Sequence, residues 1–332
     1  LPEAAPEAWP PAMENANRRS PGRPPAGGPA LHEGRKAMQR TNLTKILFVL
    51  PCAFAFAMVI LIPFFYGLYF SMTDWNGVSD TVKFVGLVHF GRVLTQPGFM
   101  YSFIISAAYT IINVVLVNAA GFALALIVTS NLRFRNFYRA GFFAPYLIGG
   151  IVLGYIWQFL FNNSLPALGR ALSLDLLKTS FLSRDDAVVW AMSIVNTWQY
   201  AGYIMLIFIA AIQAIPASLM EAAKVDGAGY FRRVFSILIP MMASAFTISL
   251  FLTLTTSFKQ FDMNLTLTNG GPATRFFDQP VMASQLLAMN IFNTGKANRM
   301  AEAQAQAVIL FVALVVVSLV QVSVNKRKEV EL

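Results

Sequence analysis

The sequence predicts an all-α polytopic membrane protein with six transmembrane helices. Three observations predict it. Charged residues make up only 12% of the 332 positions, about half the roughly 25% of a typical soluble domain. Hydrophobic residues reach 56%, with a mean hydropathy of +0.58. The 25 Lys and Arg and 16 Asp and Glu avoid six long stretches completely: 46–73, 99–130, 140–161, 187–213, 234–258 and 303–324. Each stretch reaches the ~20 residues needed to cross ~30 Å of hydrocarbon as a helix. A charge exposed at mid-bilayer costs at least ~2.5–3.5 kcal/mol, so their absence constrains the sequence in a way that a soluble core would not require.

The elements follow in order. Residues 1–44 hold eight of the 17 prolines and little apolar periodicity, and read as a disordered basic tail. No apolar core with a cleavage site follows a short basic start, so a signal peptide is not expected there. Residues 45–325 form the six-helix domain and 326–332 a short basic tail. Within the spans, Gly150 and Gly154 form a GxxxG, and Ala119, Gly121, Ala123 and Ala125 supply small side chains that let helices approach in lipid. Pro63, Pro145 and Pro240 are expected to kink their helices.

Orientation follows from the basic residues. Sixteen of the 25 Lys and Arg fall on the two tails and the second and fourth connections, nine on the other side, whereas acids divide evenly. Positive charge accumulates in the cytoplasm, so both termini are placed there, and the net charge of +9 calls for no nucleic acid.

The counts also exclude chemistry. A lone Cys52 makes no intrachain disulfide, His32 and His89 are far apart, and no P-loop motif occurs. A metal centre and an enzyme with its own nucleotide site are therefore unsupported.

The fourth connection, within 214–240, carries the most information. Pro216 suits a first helical position, Ser218 to Lys224 favour helix, Gly227 can end it in a left-handed conformation, and a second helix begins near Tyr230 and runs into the fifth span. This is a helix–turn–helix projecting into the cytoplasm.

Glu221-Ala222-Ala223, two residues, Asp226-Gly227-Ala228, then Ile237 and Pro240, resembles the EAA loop of permease subunits of bacterial ATP-binding-cassette importers. Gly229 and Ile239 depart mildly from the sugar-type pattern, where Ser and Leu are usual. Phe84-Val85-Gly86-Leu87 with Phe90, and Leu267-Thr268-Asn269-Gly270-Gly271-Pro272, are similar to loops of the carbohydrate branch, in particular its maltose-type "F" subunit. The resemblance covers about residues 45–325. It implies that Glu221, Ala222, Ala223, Asp226, Gly227 and Ala228 couple the chain to a partner ATPase. It also implies a second permease subunit, two cytoplasmic subunits that bind ATP and Mg, and an external solute-binding protein. This chain itself is then expected to hold no cofactor and to sit as a multi-pass protein in the bacterial inner membrane.

Two neutral polar stripes suit a polyol. Asn196, Tyr200 and Tyr203 stand at i, i+4 and i+7 in the fourth span; Thr253, Ser257 and Gln260 repeat that spacing in the fifth, with Thr256 beside them. Hydroxyls and amides match sugar hydroxyls, and tyrosine adds a flat face for sugar C–H groups. The resemblance also places substrate at Asn196, Tyr203, Thr253, Thr256 and Ser257. The same residues could instead be interhelical hydrogen bonds, worth ~0.6–2 kcal/mol each. Lys259 and Asp262 could pair at i, i+3, or Lys259 could meet an anionic substrate; residues 280–293 could form an interfacial helix, as a lid or as a binding-protein dock.

The predicted function is the permease of an ATP-driven importer for an oligosaccharide or related sugar. The alternative is an ion-coupled secondary sugar transporter, a class that commonly needs an intramembrane Asp, Glu or His. No span contains one. An intramembrane enzyme would need a nucleophile–base pair or a metal set, and neither is visible.

Overall fold

The computed structural model describes residue 45 and residues 47–130 and 132–326. The tail placed at 1–44 lies outside the described residues, and of the tail placed at 326–332 only Lys326 is described, as the end of the last helix.

The chain divides at Pro63 into two units. The first contributes most of helix α1, Leu47–Phe70, none of whose 24 residues is buried. The second is a helical bundle. It contains α2 (Val88–Thr95) and the long α3 (Pro97–Thr129). A pair then bends by 96°, α4 (Arg135–Leu147) into α5 (Gly150–Ala171). After α6 (Val188–Ala214) and the short α7 (Ala217–Val225), a second pair bends by 73°, α8 (Tyr230–Met241) into α9 (Ala243–Phe258). The remainder is α10 (Asp262–Leu267), the hairpin β1–β2 (Ala273–Phe276 with Gln279–Met282), α11 (Leu287–Lys296) and α12 (Met300–Lys326).

Among the described residues, four helices are long and apolar enough to cross a membrane unbroken: α1, α3, α6 and α12. Six spans result when each bent pair counts as one. The third and fifth predicted spans are thus the broken ones, and the break in the third has a local cause. At Ile148-Gly149 the chain turns extended after a 3₁₀ turn that contains Pro145. The Ile148 carbonyl released there accepts a hydrogen bond from Gln199 Nε2 at 2.9 Å. A freed carbonyl in hydrocarbon costs several kcal/mol, so a partner from a neighbouring helix is what makes a broken span tolerable.

Pro240 lies two residues before the 73° bend between α8 and α9, and it shares a second feature with two other prolines. Among the described residues, three π-helical turns occur, Ala57–Leu61, Leu160–Ser164 and Val234–Leu238. Each ends two residues before a proline: Pro63, Pro166 and Pro240. A proline ring collides with the carbonyl four residues back, and a wider i→i+5 turn gives it room.

Packing corrects one expectation about small residues. Gly121 and Ala125 are buried, but Ala119 and Ala123 are exposed. A spacing of two cannot stay on one face of a 3.6-residue helix, whereas 121 and 125, four apart, can. Gly121 lets α3 lie directly on α6: a Cβ there would come within 2.8 Å of Ile204 Cγ2. Gly154 serves the same purpose between α5 and α10, where a Cβ would fall 1.8 Å from Thr266 Oγ1.

The segment after α9 is not one interfacial helix over 280–293. Residues 279–282 pair as a strand, and helix begins only at Leu287. Buried polar bonds fix it to the bundle: Asn264 Nδ2 donates to the Ser284 carbonyl at 2.8 Å, and the Leu287 N–H donates to Ser106 Oγ at 2.7 Å. These bonds compete successfully with a continuous helix because they satisfy Asn264 and Ser106 where water is excluded.

Candidate functional site

The predicted coupling loop is a helix with a fully hydrogen-bonded end. Pro216 is the N-cap of α7 rather than its first helical residue, with ψ 127°. At the other end Gly227 has φ +75°. The Gly227 N–H donates to the Lys224 carbonyl at 3.1 Å and the Ala228 N–H to the Ala223 carbonyl at 2.9 Å. This is the Schellman pattern, which a glycine in the left-handed region makes possible without steric cost. Arg233 Nη1 then donates to the Ala228 carbonyl at 2.6 Å, tying α8 back to the turn. Of the motif, Ala223 is buried, Ala228 is half-buried, and Glu221, Ala222, Asp226 and Gly227 are exposed. Around them Val225 is 87% and Phe231 74% exposed. A rigid knob with exposed apolar side chains and a carboxylate on it is suited to a protein partner.

The two polar stripes leave this loop in opposite directions along the chain, since α6 enters it and α8–α9 leaves it. Their members fall into two groups. Asn196 is buried, and its Nδ2 donates to Asn113 Oδ1 at 2.8 Å; Asn113 Nδ2 in turn donates to Ser193 Oγ at 3.3 Å. Thr253 is buried as well, accepting from Asn118 Nδ2 at 3.2 Å and donating to the Ser249 carbonyl at 2.8 Å. These residues join α6 and α9 to α3. Ser257 is buried, with its hydroxyl unpartnered. Thr256 is half-buried and donates back to the Leu252 carbonyl at 2.8 Å, and Gln260 is half-buried past the end of α9.

Tyr200 and Tyr203 are the half-buried part of the α6 stripe, and they meet a residue outside both stripes. Tyr146 stacks on Tyr203 with centroids 4.6 Å apart and planes at 10°, and meets Tyr200 edge-on at 5.7 Å. Three phenol rings therefore form one cluster at the break between α4 and α5. Tyr146 adjoins Pro145 in the third predicted span, but nothing local there indicates which helix it faces. Asn113 and Asn118 are visible in the sequence as amides in an apolar span, but they form no stripe.

Lys259 and Asp262 do not pair. Among the described residues the ion pairs are Asp175–Lys178, Arg184–Asp186 and Arg299–Glu302. In the connection between α5 and α6, the Arg184 guanidinium hydrogen-bonded to Asp186 holds that carboxyl below the usual range. It stays ionised at neutral pH. Glu302, buried at the start of α12, also accepts from Gln96 at the N-cap of α3.

Residues 117–330 match the family described as binding-protein-dependent transport system inner membrane component. The chain is 40% identical over 287 residues to the probable starch degradation products transport system permease protein AmyD of Thermoanaerobacterium thermosulfurigenes, covering 86% of this chain and 95% of that one. It is 29% identical to the multiple sugar-binding transport system permease protein MsmF of Streptococcus mutans, over 81% of this chain and 90% of that one. Its fold superposes with a TM-score of 0.74 on a chain of a bacterial ABC transporter involved in the import of the acidic polysaccharide alginate, at 18% identity, covering 89% of this chain and 99% of that one.

Proposed function

The chain belongs to the binding-protein-dependent transport system inner membrane component family, the multi-pass permeases of ABC importers, which are not themselves enzymes, and from that premise we propose that it carries a sugar or oligosaccharide across the inner membrane by alternating access. The observation that carries this reading is one of connectivity. The coupling helix α7 sits directly between the two helices that bear the polar stripes, with Tyr200 and Tyr203 on α6 before it and Thr256, Ser257 and Gln260 at the end of α8–α9 after it. A displacement of α7 is thereby passed along α6 to the tyrosine cluster and through the bent pair α8–α9 to the hydroxyl stripe.

In this reading Glu221, Ala222, Ala223, Asp226, Gly227 and Ala228 dock on a cytoplasmic ATP-binding subunit. Two such subunits hold ATP and Mg, a second permease completes the bundle, and a solute-binding protein delivers substrate from outside. Both termini lie in the cytoplasm. Tyr146, Tyr200, Tyr203, Thr256, Ser257 and Gln260 line the path, while Asn196 and Thr253 hold it together through Asn113 and Asn118. The names of AmyD and MsmF support a starch-derived or mixed sugar substrate.

The test is uptake into proteoliposomes containing the whole importer and its binding protein, against a panel of maltodextrins, other oligosaccharides and amino acids. Oligosaccharide uptake that needs internal or external ATP on the side of the ATP-binding subunits is expected. Uptake that persists without those subunits, or that takes amino acids alone, overturns the proposal.

A further inference from the structure

We propose that the turn joining α3 to α4 is a binding surface for anionic phospholipid headgroups. Arg133, Arg135 and Arg139 lie within seven residues, and the whole stretch 81–174 contains no Asp or Glu. The first turn of α4 has no acidic residue either. None of the three arginines is in an ion pair among the described residues. Arg139 Nε is buried without a hydrogen-bond partner, although a buried guanidinium donor left unpaired is costly.

The aromatic residues of the turn have the opposite placement. Phe134 is 70% and Phe137 76% exposed, with Tyr138 also exposed, and the Arg133 guanidinium lies 5.5 Å from the Phe134 ring centroid. Exposed phenylalanines beside unpaired arginines fit the headgroup boundary, where rings enter the acyl region and guanidinium groups meet phosphate.

Placement selects lipid over a soluble partner. The turn follows directly on the 33-residue apolar helix α3, which at about 50 Å outreaches the ~30 Å hydrocarbon core and so brings Arg133 and Arg135 to the level of the headgroups. The charge complementarity there is with an anionic lipid.

The experiment is native mass spectrometry of the assembled importer titrated with phosphatidylglycerol, phosphatidylcholine or inorganic phosphate. Selective retention of phosphatidylglycerol is expected, falling about fivefold for each arginine replaced in R133Q, R135Q and R139Q. R133Q, in the exposed turn, and Phe137→Ser serve as variants if the triple replacement does not assemble; each is expected to lower retention singly. Equal retention of phosphatidylcholine, equal retention by the variants, or competition by inorganic phosphate alone overturns the proposal. So does protection of these arginines from a guanidine-modifying reagent that depends on the ATP-binding subunits and not on lipid.

Discussion

The Asn196 amide donates to Asn113 Oδ1 at 2.8 Å, with both side chains buried between α6 and α3. This bond uses the donor that a sugar hydroxyl would otherwise meet, and Asn113 extends it to Ser193. Asn113→Leu removes the acceptor and strands the Asn196 amide in hydrocarbon. A loss of about 0.6–2 kcal/mol is expected, read as a lowered Tm of the purified importer. Substrate selectivity is expected to be unchanged.

The stacked pair Tyr146–Tyr203 makes the opposite prediction. Tyr146→Phe keeps the ring and the stack, so its uptake KM should stay within about twofold. Tyr146→Ala removes the stacked contact, worth about 0.5–1.5 kcal/mol to the fold, together with a ring face for the sugar, so Tm should fall modestly and KM should rise. Equal KM values for the two variants would sink the assignment of this cluster to the pathway.

Gly227 at φ +75° tests the coupling knob. Gly227→Val forces a β-branched residue into a region it rarely adopts, at a cost of about 1–3 kcal/mol, and breaks the Schellman end of α7. The variant is expected in the membrane at near-normal amount with uptake abolished. Glu221→Lys should do the same by reversing the exposed charge. Normal substrate-stimulated ATP hydrolysis in either would show that this loop does not couple.

Gly202 is a packing requirement rather than a functional one. A Cβ 1.8 Å from the Phe142 carbonyl oxygen cannot be accommodated without moving α4 from α6. Gly202→Ala is expected to lose about 1–3 kcal/mol, measured as reduced Tm and yield, with Gly141→Ala, where a Cβ meets nothing, as the silent control.

Much of this molecule is written locally. Charge exclusion alone marks the spans, because a charge is costly anywhere along a segment that crosses hydrocarbon. Gly227 and its helix end are equally legible, since a helix terminus is decided by the few residues around it. Other features depend on residues far apart in sequence. Which of two alanine–glycine positions faces a neighbour, whether a span is continuous or broken at Ile148, and whether Asn196 faces a path or Asn113 are settled by what packs alongside. Gln199 makes the break at Ile148 tolerable from 51 positions away. The sequence by itself determined where apolar helix recurs, where basic residues cluster along the chain and where the glycine turn after α7 falls, because these follow from solvation and backbone preference at each site. Only the tertiary structure decided which polar side chains are spent on one another and which remain for a substrate, because a hydrogen bond between helices needs two partners, and a single helix shows only one of them.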